Sequence, residues 1–382
     1  MVISGAKLRF ARQARGYSQQ QLAGMAGVSR QAVSAVESGQ SDPSLRVALA
    51  LAQALGLTVE ELFGAEGKVA SVSARLVGQD TSGGSPVVGA FGQSGDRVTL
   101  APVGNYFVAL PLAGPTVSRA GFLPAGGRLA NQARRSEEVQ VRPIGPPRPT
   151  LVVAGCDPAL PLLEEPLSLL DPPIGFSWWP CSSQEALRLA AAGLVHAAGA
   201  HLRDRTGEYN TESAAELLAA GGEVIGFSAW SEGLVLGPEA RDGVSAVGDV
   251  AERGLRLVNR EPGAEARRVL DRELDKADIE GDQLPGYQTT AAGHLQVADA
   301  IAAGLADVGV ASEPAALAYG LAFVPLAAER FDLVIPNAHA ASREVQALVK
   351  VLSSRWLLDQ LASLLGYDLA SCGQHIATLA AS

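Results

Sequence analysis

Four side chains in the C-terminal part of the chain, Cys156, Cys181, His201 and His294, are of the types that make a nucleophile and its general base. None lies in a nucleophile elbow or a Walker-type loop, so an enzyme built on them stands only as an alternative. Three cysteines (156, 181 and 372) are too few and too scattered for a disulfide framework or a structural zinc site. His196 and His201 are five apart, a poor spacing for a metal pair on a helix, and no third ligand adjoins them in sequence. No metal and no cofactor is therefore expected. A more organised pattern lies near the N-terminus. In Arg30-Gln31-Ala32-Val33-Ser34-Ala35-Val36-Glu37, Val33 and Val36 can turn inward with Leu22, Ala26 and Val28, leaving Arg30, Gln31, Ser34 and Ala35 pointing out. Arginine can pair bidentately with guanine and glutamine with adenine, so such a face could read base edges.

The elements needed to present that face are legible. Ser18-Gln19-Gln20-Gln21 is a capping box that opens a helix, and Gly27 interrupts it. Ser29 caps the next helix, Ser44 and Thr58 cap two more, and Thr58 to Glu61 forms a second capping box. Helix, tight turn, helix with an exposed polar start is the arrangement that enters a major groove. Charge agrees. The whole chain of 382 residues has a formal net charge of −10, against coating of nucleic acid by the entire molecule. Residues 1–63 nevertheless carry six basic and four acidic side chains, with no acid before Glu37, which leaves −12 on the remainder.

The run from Tyr17 to Phe63, YSQQQLAGMAGVSRQAVSAVESGQSDPSLRVALALAQALGLTVEELF, closely resembles the phage-repressor-like, Xre-type helix-turn-helix family. The resemblance implies that Arg30, Gln31, Ser34 and Ala35 face base edges, and that Gln19, Ser29, Ser38, Gly39 and Gln40 meet phosphates. It also implies a structural ion pair between Arg12 and Glu37. A single module of this kind reads only a few base pairs, so specific binding implies a homodimer on a pseudo-palindromic double-stranded operator.

Beyond residue 64 the composition changes. Residues 65–149 are rich in Gly, Pro, Ser and Val, with alternating runs at Arg97–Leu100 and Tyr106–Leu110, and are expected to form a small antiparallel β-rich unit ending in a stiff Pro-rich boundary. From Thr150 strands alternate with helices: strands at Leu151–Gly155 and Glu223–Phe227, helices at Ser183–Ala192, 262–276 and 293–304. That alternation implies a mostly parallel sheet covered on both faces. Gly155-Cys156-Asp157-Pro158, Gly199-Ala200-His201-Leu202, Val258-Asn259-Arg260-Glu261-Pro262-Gly263-Ala264-Glu265 and Phe323 to Pro336 together resemble the type II periplasmic-binding-protein-like domain, and within it the molybdate-binding-like domains.

That resemblance implies two α/β lobes, one of about 150–228 and 326–382 and the other of about 229–325, joined by strands crossing near Val224–Trp230 and Phe323–Pro325. A ligand would lie between them, within reach of Cys156, Asp157, Ser182, Ser183, Tyr209, Trp230, Asn259, Arg260, Gly263, Ala264 and His294. Trp178, Trp179, Tyr209 and Trp230 could supply apolar walls. Where relatives place small and hydroxyl residues, this chain has Glu265, which competes with an oxyanion for helix N–H groups. A small organic metabolite is as compatible as molybdate.

The chain thus reads as multidomain: an all-α bundle over 1–64, a β-rich middle over 65–149 and an α/β two-lobed domain over 150–382. The function expected is a cytoplasmic one-component transcriptional regulator sensing a small-molecule effector. The alternative is a DNA-binding protein whose sensor-like domain has lost its ligand and only dimerises. No apolar run long enough to span a membrane and no secretory leader is read, so no membrane partner is expected.

Overall fold

The computed structural model describes residues 3–63, 71–78, 92–113, 122–132, 138–205 and 207–381. The chain folds as two units, Met1–Ala70 and Ser71–Ser382.

Among its described residues the first unit forms five helices: α1 (Ile3–Ala14), α2 (Gln19–Ala26), α3 (Arg30–Glu37), α4 (Leu45–Leu55) and α5 (Val59–Phe63). Their boundaries follow from the caps. The Ser18 and Gln21 side chains each accept from the other's backbone N–H, which makes the expected box. Gly27 closes α2 at φ +64°, a left-handed conformation that costs a glycine nothing. The Ser29 and Ser44 side chains cap α3 and α4. Glu61, the expected partner of Thr58, lies outside the described side chains. Leu8, Leu22, Val33, Val36, Leu51, Leu55 and Leu62 form the core.

The second unit begins with a closed five-stranded barrel of β1 (Val72–Leu76), β2 (Arg97–Val103), β3 (Tyr106–Pro111), β4 (Gly127–Leu129) and β5 (Glu138–Pro143). The expected antiparallel pairing holds except between β1 and β3, which run parallel and close the barrel. Ala74, Leu76, Val98, Leu100, Leu129 and Val141 fill it. Val103, Val108 and Leu110 turn outward instead and share one core with Val152, Ala154 and Ala198 of the following sheet.

That sheet uses β6 (Thr150–Gly155), β7 (Gly175–Pro180), β8 (Ala197–Ala200), β9 (Gly222–Leu236), β10 (Leu257–Arg260), β11 (Thr290–Ala291), β12 (Val308–Ser312), β13 (Ala322–Pro336) and β14 (His375–Leu379). The spatial order is β11-β10-β12-β9-β13-β8-β6-β7, with β14 beside β9. The covering helices are α6 (Glu164–Ser168), α7 (Ser183–Ala191), α8 (Thr211–Leu217), α9 (Val247–Glu252), α10 (Glu265–Lys276), α11 (His294–Ala302), α12 (Glu313–Ala318), α13 (Asn337–Ala340), α14 (Arg343–Leu352) and α15 (Arg355–Ala362).

Each flank is parallel, as strand–helix alternation implies: β6 with β7 and β8, and β10 with β11 and β12. The centre is antiparallel. The chain enters the second lobe on β9 and returns on β13, so these two 15-residue strands must oppose each other. They pair from Gly222 opposite Pro336 to Leu236 opposite Ala322, with irregularities at Pro325/Ala327 and Phe331/Asp332. One lobe packs around Leu151, Phe227, Phe331, Leu333 and Leu348, and the other around Leu234, Val269, Leu270 and Val308.

Candidate functional site

Two places in the molecule combine chemistry-bearing residues with an unusual environment. The first is the outer face of α3. Arg30, Gln31 and Ser34 are exposed and Ala35 is half-buried, while Val33 and Val36 hold the opposite face in the core. Ser29 caps the helix by accepting the Ala32 N–H at 3.1 Å, and its hydroxyl stays exposed. Ser38, Gly39 and Gln40 form an exposed turn at the other end, with Gly39 at φ +72°. Gln19 is half-buried and donates its amide to Glu37 Oε2 at 2.9 Å. That carboxylate also receives Arg12, so the expected ion pair between α1 and α3 is present.

The second place is the cleft between the lobes. A cavity of about 120 Å³ is lined by Cys156, Trp178 and Cys181 from one lobe and by Arg260, Glu261 and His294 from the other. Local sequence explains how each arrives. Cys156 follows directly on β6, and Gly155 before it lies at φ +154° with Gly199 and Phe331 so close that a Cβ would meet both near 3.1 Å. His201 follows β8 in the same way, and its N–H is received by the Ser183 hydroxyl at 3.2 Å. Arg260 ends β10, and His294 opens α11.

At the base of the cavity the buried side chains form one cluster. Nitrogen or sulfur atoms of Cys156, His201 and His294 lie within 4.8 Å of one another. His201 Nδ1 faces Glu329 Oε2 at 3.4 Å. His294 Nδ1 accepts the Ser312 N–H at 3.2 Å, faces Arg260 Nη1 at 3.3 Å and lies 3.5 Å from Glu232 Oε1. Trp230 lies beneath, its ring centre 5.5 Å from that of His201 and its indole N–H given to Glu232 at 3.2 Å.

Charge is crowded here. Burial would raise the Cys156 thiol, but His201 and His294 more than offset it and bring the thiol down to about 6. Burial likewise works against a charged His201, yet Cys156 and Glu329 hold its proton well above the usual range. Burial raises Glu329, with His201 opposing. Burial also works to raise Glu232, but His294 outweighs it and keeps that carboxyl low. Arg260 is tied to Glu261 at 2.9 Å and remains protonated.

The remaining sequence-derived candidates are dispersed. Asp157 is buried and turned away from the cavity, accepting from Ala159 N–H, the Ser228 hydroxyl and the Tyr367 hydroxyl. Ser182 caps α7. It faces Gly263 across the cleft, where a Cβ on the glycine would stand 3.7 Å from the Ser182 hydroxyl. Tyr209 gives its hydroxyl to the Ala328 carbonyl. Asn259 donates to the Tyr287 carbonyl and accepts the Arg260 N–H. Ala264 is the buried residue ahead of α10, whose Glu265 is paired with Arg272 at 2.7 Å. Of the expected walls, Trp178 lines the cavity and Trp179 is buried in the core shared with the barrel.

Sequence reasoning weighed His201 beside Cys156 and His294 but did not join Glu232 and Glu329 to the cleft. Those two reach it because β9 and β13 cross there. His196, weighed beside His201 as a metal pair, is turned elsewhere: its Nδ1 accepts the Val152 N–H at 3.0 Å and its ring meets that of His339.

Residues 8–62 match the helix-turn-helix family model, and residues 165–353 match the model of the PBP superfamily domain. The chain is 40% identical over 57 residues to the uncharacterised HTH-type transcriptional regulator MJ0272 of Methanocaldococcus jannaschii, covering 15% of this chain and 86% of that protein. The chain belongs to the Xre-type helix-turn-helix family and carries a PBP-like domain. This Xre-type protein is also 27% identical over 180 residues to the uncharacterised protein YvgK of Bacillus subtilis, covering 46% of this chain and 57% of the other. It thus spans little more than half the length of that relative. Among solved structures, the CcmR regulatory domain of Synechocystis PCC6803, in complex with 2-PG, is similar at 12% identity and a TM-score of 0.42, covering 56% of this chain and 97% of that one. Among its described residues, the Xre-type chain has no helix long and apolar enough to cross a membrane.

Proposed function

We propose that this protein is a one-component transcriptional regulator, in which α3 reads an operator and the cleft of the PBP-like domain takes a small effector. One observation carries the effector half. Glu232 Oε1, Glu329 Oε1, His294 Nε2 and the Ser312 hydroxyl are buried without hydrogen-bond partners, and all four gather around the base of the cleft. A buried polar atom left unpaired costs about 1–3 kcal/mol, so four together are expected where a bound group completes them. The same observation weighs against a domain that only dimerises.

The cluster also bears on the effector's class. Two of the unpaired atoms are carboxylate oxygens, and the nearby guanidinium is already held by Glu261. Both facts favour a cationic or donor-bearing effector over an oxyanion such as molybdate. The exposed face of α3 and the +2 charge of residues 1–63 support the DNA half. A homodimer on half-sites about one helical turn apart, in the cytoplasm, completes the reading.

An effector can change operator affinity only by its preference for one of two cleft states, about 1–3 kcal/mol in typical cases. The test is binding of the full chain to tiled duplexes from around its own gene, against scrambled duplexes at moderate salt. Preference of about a thousandfold for one fragment is expected. Equal affinity for all duplexes overturns the regulator reading.

A further inference from the structure

We propose that the cleft binds one thiophilic transition-metal ion of the zinc class, through the sulfur of Cys156 and the imidazoles of His201 and His294. This deepens the effector reading above and rests on the same cleft. Three independent features converge on it.

The first is the donor set. Cys156, His201 and His294 are 7%, 2% and 1% exposed and place their donor atoms within 4.8 Å of one another. A thiolate with two imidazoles suits zinc or its neighbours and does not suit magnesium or calcium. Zinc bonds of about 2.3 Å to sulfur and 2.0–2.1 Å to nitrogen need the donors somewhat closer than they stand. Cys156 and His201 belong to one lobe and His294 to the other, so a further closing of the two lobes would draw the three donors together.

The second is the set of groups behind the ligands. Ligating histidines commonly donate their other nitrogen to a carboxylate. His201 Nδ1 faces Glu329 Oε2 at 3.4 Å, which places one proton on Nδ1 and makes Nε2, once it has released its own, the nitrogen for a metal. His294 Nε2 has no partner. While Nδ1 of His294 accepts from Ser312, Nε2 carries the proton. Coordination moves that proton to Nδ1, which donates it to Glu232 Oε1, 3.5 Å away and without a hydrogen-bond partner, at the expense of the contacts from the Ser312 N–H and Arg260 Nη1.

The third is charge. Glu232 and Glu329 are both about 2% exposed or less, and the guanidinium nearby is already paired with Glu261. Two buried carboxylates and a thiolate outnumber the two imidazoles that face them, and a divalent ion held by those imidazoles offsets the excess. Water completes the coordination. Because the ligands come from both lobes, the ion acts as a latch on the closed cleft.

The experiment titrates the full chain with Co²⁺ as a spectroscopic stand-in, then displaces it with Zn²⁺. Saturation at one ion per chain, with a thiolate-to-cobalt charge-transfer band that zinc removes, is the expected result. Cys156→Ser, close in size and expected to fold, should abolish the band. Glu329→Gln should keep the band but weaken zinc binding by about 10- to 100-fold, as a positioning residue would. No saturable band, or a band that survives Cys156→Ser and therefore belongs to another thiol, overturns the site. The effector reading is judged separately by operator affinity with and without Zn²⁺. Binding at the site with unchanged operator affinity leaves the metal site standing and removes the effector role of the ion. Failure to bind metal, with a small organic compound raising the melting temperature, removes the metal site alone.

Discussion

Arg12 on α1 and Glu37 at the end of α3 are 25 residues apart in sequence and joined by two hydrogen bonds, of 2.6 and 3.0 Å. Gln19 from α2 donates to the same carboxylate, so one buried acid fastens three helices.

Glu37→Gln leaves Arg12 buried without its counter-charge and should destabilise the N-terminal unit by on the order of 3 kcal/mol. Burial pushes the Glu37 carboxyl up, but the hydrogen bonds from Arg12 and Gln19 outweigh it and hold the group below its ordinary value. A carboxyl lowered on folding contributes stability that is full above its unfolded value and is lost as pH falls through its folded value. Thermal unfolding of the full chain should therefore show the helical unit weakening below about pH 4, with much less pH dependence in Glu37→Gln. Parallel acid profiles for the two proteins would contradict the assignment.

Gln31 and Gln19 should separate base reading from anchoring. Gln31→Ala is expected to weaken the operator by about 1–3 kcal/mol while leaving scrambled duplex nearly unaffected. Gln19→Ala should lower affinity for every duplex alike. Fluorescence anisotropy on both duplexes at two salt concentrations decides it, and a loss confined to the operator in Gln19→Ala would remove that residue from the backbone contacts.

Gly199→Ala probes how tightly the cleft floor is packed. A Cβ there would stand 2.2 Å from Phe331 Cζ, and that ring is fully buried beside His201 and Trp230. The substitution should cost about 1–3 kcal/mol of the C-terminal unit's stability. Gly248→Ala, in α9 with open space around it, should be neutral or slightly stabilising. Denaturant midpoints for the pair give the comparison.

Val103 is fully buried where the barrel meets the sheet. Val103→Asp should cost at least about 2 kcal/mol, because the carboxylate has no partner in that core. Barrel and sheet should still unfold together in calorimetry of the full chain, since they share one core. A separate barrel transition in the wild-type protein would show them to be independent.

The starts of α2, α3 and α4 were legible in the sequence because their signals are local. Serine caps, Gly27 and the spacing of Leu22, Val33 and Val36 each act within one or two turns. The cleft was only half legible. Cys156, Arg260 and His294 stand at strand ends or helix starts, where ligand-facing residues are expected. Glu232 and Glu329 carry no such mark. The apolar pattern gives a strand over Glu223–Phe227, and the family resemblance carries the crossing only to about Trp230. In the structure that strand continues to Leu236, its buried polar side chains Ser228 and Glu232 being hydrogen-bonded to Asp157 and Trp230. The parallel β1–β3 pairing was equally hidden, because partner choice in a barrel is decided by closure and not by alternation within a strand.

Trp230 and Glu329 are direct neighbours across β9 and β13. The polypeptide therefore leaves for the distal lobe and comes back at a single narrow neck, and about a hundred residues hang from two adjoining threads. Topologically that lobe is an insertion. Replacing it with a tight two-residue turn would turn the two strands into a hairpin, costing little in loop closure. What such a truncation would forfeit is half of every contact that the cleft can offer a guest.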